Sequence, residues 1–208
     1  FLADLCPDVD EVWGIDIAPP VVQRARSRNA GTSVHWAVGD VRVLPFPNGH
    51  FSTIVSTSTL DHFPDPGDLG RSLRELYRVL RPGGHLVVTL DNRHNVFDPL
   101  LRLACSVGRV PYFLGRSYSM AELRDELRTA GFEVREVTAI LHNPRLTAVA
   151  SMRLARLTRL RPLIRLVQRA LVAAQRLEGT RWRHRTGSFV AAAAVRPPAA
   201  GAAVAPER

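Results

Sequence analysis

Three polar residues stand at the ends of short apolar stretches of the chain: Asp16, Asp40 and Ser56. The stretches have the composition of β-strands, and parallel strands bring their carboxyl ends to one edge of a sheet, where ligands bind. A carboxylate in such a position can accept hydrogen bonds from ribose hydroxyls. A second carboxylate, here Asp40, can accept a hydrogen bond from an adenine amino group, while the N–H of Val41 donates to a ring nitrogen. Taken alone, each aspartate is as typical of a solvated or helix-capping residue as of a ligand-binding one. The prediction of a nucleotide-like ligand therefore depends on the order and separation of the two aspartates.

A second group of polar residues has the chemistry to act on a bound substrate. His62 is a candidate general base, with Asp61 as its partner, for a reaction that removes a proton from a hydroxyl. The alternative is a loop histidine that packs beside Phe63. Asp91 and Asn92 follow a later strand and are candidates for contact with the substrate, or else they simply begin the next loop. No group of histidines, cysteines and acidic residues has the spacing of a metal site.

The elements that would position these residues alternate between strands and helices. Strands are predicted over 11–16, 33–38, 51–56, 84–90, 132–141 and 187–195, and helices over 19–28, 69–80, 120–130 and 145–177. After the helix over 69–80, Pro82 and the two glycines that follow it turn the chain into the next strand. Pro162 is expected to break the last helix. The alternation predicts an α/β fold, with a doubly wound, mostly parallel sheet like that of Rossmann-type domains.

Composition and charge limit the function further. The 208 residues, 46% of them hydrophobic, suffice for one domain with a full core. All 28 basic residues are arginines, and their distribution is uneven: residues 1–140 carry 15 arginines against 17 acidic residues, whereas 141–208 carry 13 against two. Cys6 and Cys105 are too few for a disulfide framework, which predicts a reducing, cytoplasmic location. No apolar run approaches the roughly 18–20 residues that a membrane span needs.

The excess of arginine belongs to a predicted helical insertion over 142–186, before the last strand. Its arginines recur at helical spacing between Arg153 and Arg185, opposite apolar residues. Basic amphipathic helices can lie on an anionic membrane surface or hold an anionic substrate. The alternative is a helical cap whose arginines are simply solvated. The absence of a nucleic-acid-binding motif argues against nucleic acid as a partner. We expect one domain over 1–196 and a disordered Ala/Pro tail over 197–208.

Five blocks of the chain together resemble the class I S-adenosylmethionine-dependent methyltransferases, in particular the type 11 methyltransferase domain group. The blocks are Gly14–Asp16, Gly39–Val41, Leu44–Val55, Leu60–Pro66 and Glu75–Gly84. The resemblance implies S-adenosylmethionine as the cofactor. Three pairs of residues are implied to contact it: Asp16 with Ile17 at the ribose, Asp40 with Val41 at the adenine, and Ser56 with Thr57 at the methionine.

The family's Gly-rich loop and first strand precede the part of the family that this chain resembles. We therefore expect an N-terminally truncated methyltransferase fold that lacks that strand and loop, and that neither folds well nor binds cofactor by itself. The implied activity is methyl transfer to a small-molecule acceptor, such as a lipid-linked or glycan intermediate. One alternative is a degenerate, non-catalytic module that binds a ligand or associates with a membrane. The other is an NAD(P)-dependent oxidoreductase, which would need a Gly-x-Gly-x-x-Gly motif upstream.

Overall fold

The computed structural model of the protein describes residues 9, 11–96, 98–99, 102–103, 115–142 and 161–198. The strands are β1 (Val12–Asp16), β2 (Val34–Val38), β3 (Phe51–Thr57), β4 (Leu80–Asp91), β5 (Glu133–Ile140) and β6 (Phe189–Val195). The helices are α1 (Pro19–Arg28), α2 (Gly67–Val79), α3 (Met120–Thr129), α4 (Arg161–Ala174) and α5 (Arg183–Thr186), with a 3-10 turn over Gln175–Gly179.

The six strands form two sheets. β1 and β2 make a parallel pair, and the other four strands make a mixed sheet in the order β3-β4-β6-β5. β3 is parallel to β4, and β6 runs antiparallel to both β4 and β5. The carboxyl ends of β3, β4 and β5 therefore lie at one edge of the larger sheet. The predicted α/β fold is confirmed.

Helix α2 supplies the centre of the core. Its leucines recur every three or four positions, so that Leu69, Leu73 and Leu76 form one buried face. They belong to one cluster with leucines and valines of β4 and α3. The members from those elements are Leu80, Leu86, Val88, Leu90, Leu123 and Leu127. This packing fixes β4 inside the molecule, and with it the polar residues at the carboxyl end of β4.

The turn predicted after α2 lies within β4. This strand begins at Leu80, four residues before the strand predicted over 84–90. Leu80 pairs with Phe51 and His85 pairs with Thr53, so the four residues 81–84 lie opposite a single residue of β3 and bulge out of the ladder. Gly83 adopts a left-handed φ of 78°, which favours glycine. The chain thus turns where the sequence predicts, and the register resumes at His85.

The arginine-rich segment is described from Arg161 onward, where α4 begins. Pro162 occupies the first turn of this helix, where a missing N–H costs little. Residues 143–160, which include Arg153, lie outside the described residues. The same holds for 199–208, most of the predicted tail.

The residue after β6 is firmly held. The guanidinium of Arg196 donates to the carbonyl oxygens of Tyr77 (2.8 Å) and Leu80 (2.6 Å), and its carbon lies 4.6 Å from the centre of the Tyr77 ring. These carbonyls end α2, so Arg196 caps that helix and fixes the end of β6 against it.

Candidate cofactor and acceptor site

Asp16 lies at the carboxyl end of β1 and is half-buried. Its Oδ1 accepts a hydrogen bond from the N–H of Ala18 (2.8 Å), which shapes the turn into α1. Its carbonyl oxygen accepts from the N–H of Gly39 (3.1 Å), which joins the ends of β1 and β2. No partner for Oδ2 is found within the described residues. One carboxylate oxygen therefore positions the turn, and the other is suited to accept from a ligand hydroxyl.

Apolar side chains are exposed beside Asp16. Ile17 is 60% exposed, and Val38, which pairs with Asp16 across the two strands, is 49% exposed. Exposed apolar residues next to a carboxylate suit a ligand that has an apolar ring as well as hydroxyl groups.

Asp40 is engaged by a neighbour that the sequence analysis did not consider. Both of its carboxylate oxygens accept from Arg42: Oδ1 from the backbone N–H (2.9 Å) and from Nε (3.0 Å), and Oδ2 from Nη2 (2.6 Å). These hydrogen bonds lower the pKa of the Asp40 carboxyl below its usual value. An adenine amino group would have to share or displace this contact. The N–H of Val41 has no partner within the described residues.

Arg42 connects Asp40 with a buried part of the molecule. Its Nη1 donates to Asp68 (2.7 Å), which is only 2% exposed at the start of α2. Its guanidinium carbon also lies 4.9 Å from the centre of the Phe63 ring. An arginine two residues after a strand-end aspartate is the signal in the sequence from which this contact could have been predicted.

Ser56 and Thr57 end β3, on the other sheet. Ser56 is half-buried and Thr57 is exposed. The chain then turns sharply at Ser58, which has a φ of 47° and whose N–H donates to the carbonyl oxygen of Thr89 (3.0 Å). The two groups predicted to hold opposite ends of the cofactor therefore belong to different sheets.

Asp61 and His62 follow this turn and lie beside the end of β4. Asp61 is 1% exposed, and its Oδ2 accepts from the N–H of Asp91 (2.7 Å). Burial, with the neighbouring charge of Asp91, raises the pKa of the Asp61 carboxyl above its usual value. His62 is exposed, and its Nε2 lies 3.9 Å from Asp61 Oδ1, which is longer than a hydrogen bond. The structure thus brings the predicted pair together without a hydrogen bond between the two side chains.

Asp91 and Asn92 are both buried at the end of β4. The amide nitrogen of Asn92 donates to the carbonyl oxygens of His184 (3.0 Å) and Gly187 (2.8 Å), and its Oδ1 accepts from the N–H of His94 (3.0 Å). The side chain of Asn92 therefore joins β4 to the segment that leads into β6, which leaves it little capacity for a substrate.

A buried histidine at the same edge of the sheet was missed by the sequence analysis. His142, two residues after β5, is 1% exposed, and its Nδ1 lies 2.9 Å from Oγ1 of Thr186. The Thr186 hydroxyl donates to the carbonyl oxygen of Trp182 (3.0 Å), so His142 Nδ1 carries the proton in this contact. Nε2 is buried and has no hydrogen-bond partner within the described part of the chain, and burial lowers the pKa of the ring. A single histidine outside any motif gives no signal in the sequence.

A contact between two of the motif blocks holds the loop that follows Asp40. Glu75 Oε1 accepts from the N–H of Leu44 (2.7 Å), and Arg78 donates to Leu44 O (3.1 Å), Phe46 O (2.8 Å) and Asn48 Oδ1 (2.8 Å). The hydrogen bonds from Arg78 lower the pKa of Glu75. We call Glu75 and Arg78 the loop clamp. It explains why the block over 44–55 and the block over 75–84 occur together.

The described residues contain no group of three or more histidine, cysteine or acidic side chains arranged to hold a metal ion. Within the same ranges, no helix combines the length and the apolar character of a membrane span.

Comparison with known proteins agrees with the fold. Residues 1–88 match the sequence model of the family described as "Methyltransferase domain". A demethylmenaquinone methyltransferase of Thermus thermophilus is 40% identical over 80 residues, which are 38% of this chain and 35% of the relative. A ubiquinone biosynthesis O-methyltransferase of Marinobacter nauticus is 30% identical over 148 residues, with 64% of this chain and 59% of the relative covered. The crystal structure of an S-adenosylmethionine-dependent methyltransferase from Mesorhizobium loti aligns with a TM-score of 0.59 at 17% identity, covering 90% of this chain and 81% of that one, which shows the same fold.

The fold and the matched motifs define a class I methyltransferase domain. Residues 1–88 belong to the S-adenosylmethionine-dependent methyltransferase family, whose cofactor is S-adenosylmethionine. The chain spans 35% and 59% of the length of the two curated relatives described above.

Proposed function

We propose that the protein transfers a methyl group from S-adenosylmethionine to a small-molecule acceptor, and that this acceptor is lipid-linked. The observation that carries the first part is the position of Asp16, which has one oxygen committed to the turn and the other without a partner in the described residues. Asp16 and Ile17 would hold the ribose, and Ser56 and Thr57 the methionine end. Asp40 and Val41 would hold the adenine once Arg42 shares or leaves the carboxylate.

S-adenosylmethionine, when bound, supplies a methyl group already activated on a sulfonium. The protein then has to hold the acceptor in line with that group and exclude water, and positioning alone supplies much of such an acceleration. His62 is exposed at this edge and is our candidate to take a proton from an acceptor hydroxyl. Asp61 and Asp91 lie buried behind it and shape the floor of the site.

Two features favour a lipid-linked acceptor over a glycan intermediate. The two relatives compared above are named for quinones, and a quinone with an apolar tail is a lipid. The second feature is the surface of α4 and the segment after it. Over 161–186 the chain carries seven arginines against Glu178 alone.

The arginines of α4 lie beside exposed apolar residues. Arg165 and Arg169 are exposed on one side of the helix, and Leu166 and Val172 are 63% and 71% exposed. Trp182, which is 52% exposed, follows in the next segment. Cationic side chains beside apolar ones suit the headgroup region of an anionic bilayer. We therefore propose a cytoplasmic protein that attaches peripherally to the membrane through the segment that ends at Arg185.

The cofactor and the acceptor are tested together. S-adenosylhomocysteine is titrated calorimetrically into the full-length protein with NADH as the comparison, and methyl-radiolabelled S-adenosylmethionine is then incubated with that protein and a bacterial total lipid extract. We expect S-adenosylhomocysteine to bind, NADH not to bind, and the label to enter the organic phase. Label only in water-soluble products would contradict a lipid-linked acceptor, and binding of NADH alone would contradict methyl transfer.

Attachment to the membrane is tested by sedimentation with vesicles of phosphatidylcholine, with and without phosphatidylglycerol. Replacing Arg165 and Arg169 by glutamine should release the protein from anionic vesicles. The matched control replaces Arg24 and Arg28, two exposed arginines of α1, and should not release it. Equal loss in both variants would mean that net charge, rather than this surface, holds the protein to the vesicles.

A second candidate function is a non-catalytic methyltransferase-like module. It is favoured by the contact between Arg42 and Asp40 and by the commitment of the Asn92 amide, because both remove ligand-binding capacity. In that case S-adenosylhomocysteine would bind weakly or not at all, and no lipid would be labelled.

A further inference from the structure

The side chain of Asp61 is held rigidly at the carboxyl edge of the larger sheet. The side chain is wholly buried, and two separate segments hold the residue, one at the carboxyl group and one at the backbone. Its Oδ2 accepts from the N–H of Asp91 (2.7 Å), and its carbonyl oxygen accepts from the N–H of Arg116 (2.8 Å). The backbone at Gly115 lies so close that a Cβ there would overlap the Asp61 carbonyl oxygen. The backbone of Asp61 is therefore held by the segment over 115–116, and its carboxyl group is oriented by the hydrogen bond from Asp91.

The other carboxyl oxygen, Oδ1, is buried and has no hydrogen-bond partner among the residues that the structure describes. His62 Nε2, at 3.9 Å, is too far away to donate to it. A buried polar atom without a partner is costly and uncommon in native proteins, and at a ligand site it is most simply explained by a partner that the ligand supplies.

The position of the proton follows from the surroundings. Burial raises the pKa of the Asp61 carboxyl, and the charge of Asp91, which lies buried beside it (3% exposed), acts in the same direction. The other titratable groups around Asp61 are His62, Tyr118 and Arg116. Oδ2 already accepts an N–H, so a proton on this carboxyl group resides on Oδ1 and makes it a hydrogen-bond donor.

We propose that Asp61 serves as a neutral carboxylic acid that donates a hydrogen bond from Oδ1 to an oxygen of the methyl acceptor, so that the site selects acceptors with a carbonyl or phenolate oxygen over cationic amines. This inference rests on the proposed methyl transfer and changes the role of Asp61 from the partner of a base to a substrate-binding donor. An uncharged acid offers an oxygen acceptor a direct hydrogen bond and offers an ammonium group no charge to pair with.

The protonation state is tested first, in the protein without substitutions. Carbon-13 labelling of the aspartate carboxyl carbons, followed through a pH titration by NMR, should show the Asp61 carboxyl still protonated at neutral pH. A His62→Ala variant, in which the neighbouring imidazole is removed, should keep that proton. An Asp61 carboxyl that is ionised at neutral pH would overturn the proposal, and this result does not depend on whether any Asp61 variant folds.

Binding of a probe is tested second, with S-adenosylhomocysteine present. The probe is duroquinone, which offers only carbonyl oxygens, and the comparison ligand is benzylamine, which is a cation at neutral pH. Asp61→Asn keeps a donor at the position of Oδ1 and an acceptor for the N–H of Asp91, so it should bind duroquinone within about twofold of the unchanged protein. Asp61→Leu has no donor and should bind about tenfold or more weakly.

The outcomes separate this inference from the proposed function. Equal weakening in Asp61→Asn and Asp61→Leu, or a preference of the unchanged protein for benzylamine, would overturn the donor role. Failure of S-adenosylhomocysteine to bind to the unchanged protein would instead overturn the proposed methyl transfer, and the protonation measurement on Asp61 would still stand.

Discussion

Asp16 has two tasks that substitution can separate, because its two oxygens do different things. Oδ1 accepts the N–H of Ala18, two residues on, and so stabilises the turn before α1. Loss of one such hydrogen bond costs about 1 kcal/mol. Asp16→Ala should therefore lower the free energy of unfolding by about this amount, whereas Asp16→Asn keeps an oxygen acceptor and should change it by less than about 0.5 kcal/mol.

The effect of the same substitutions on cofactor binding should be much larger. A hydrogen bond between a ribose hydroxyl and a carboxylate is worth about 1.5–3 kcal/mol, and the ribose offers two hydroxyls. Asp16→Ala should then weaken S-adenosylhomocysteine about a hundredfold or more, by the rule that 1.4 kcal/mol is about tenfold. Asp16→Asn loses the charge but keeps one acceptor, and should weaken binding by about tenfold.

Two measurements check this reasoning: calorimetric titration with S-adenosylhomocysteine and urea unfolding monitored by circular dichroism. Asp125→Asn is the control, since Asp125 is an exposed aspartate on α3. It should change neither quantity. The reasoning would be refuted if Asp16→Asn bound as tightly as the unchanged protein, or if its stability fell as far as that of Asp16→Ala.

Three further substitutions test contacts described above. Arg42→Ala should tighten S-adenosylhomocysteine severalfold in a calorimetric titration, because it frees both oxygens of Asp40; weaker binding would mean that the ion pair is itself part of the site. Arg196→Ala should cost about 2 kcal/mol of unfolding free energy in urea, since the last carbonyls of α2 and the Tyr77 ring lose their cationic partner, whereas exposed Arg81→Ala should cost almost nothing. Because burial holds the pKa of His142 below 6.5 in the folded state, the unfolded chain binds that proton first on acidification. The stabilisation present above pH 6.5 should therefore be lost as the pH falls through the folded pKa, and His142→Gln should flatten this part of a stability-against-pH curve; an unchanged curve would contradict a buried, neutral ring.

The elements of this fold were predictable because each is specified by a local pattern. The leucine spacing of α2 and the Pro-Gly-Gly turn after it are visible in a short stretch of sequence, and the structure places both within a few residues of the prediction. The same holds for α1, which begins at Pro19 as predicted. Local propensity and one buried face suffice for elements of this kind.

The site was only partly predictable because its side chains are shared between distant parts of the chain. Proximity in the sequence suggested His62 as the partner of Asp61, but the hydrogen bond that Asp61 accepts comes from Asp91, thirty positions away. The sequence suggested the amide of Asn92 as a contact for the substrate, but in the structure this amide donates to the carbonyl oxygen of Gly187. Patterns along a chain identify which residues reach the edge of a sheet, whereas the partners each residue finds there depend on tertiary packing.

The loop clamp affects the distance between the two parts of the proposed cofactor site. The residues proposed for the adenosine end lie on the β1–β2 pair, and those proposed for the methionine end lie on β3 of the larger sheet. The strands of the two sheets are not hydrogen-bonded neighbours, and the clamp holds the connecting loop by side chains of Glu75 and Arg78 that reach across it from α2. The distance between the two ends of the cofactor therefore depends in part on the length of two side chains. It is a quantity that single substitutions can adjust without changing either sheet.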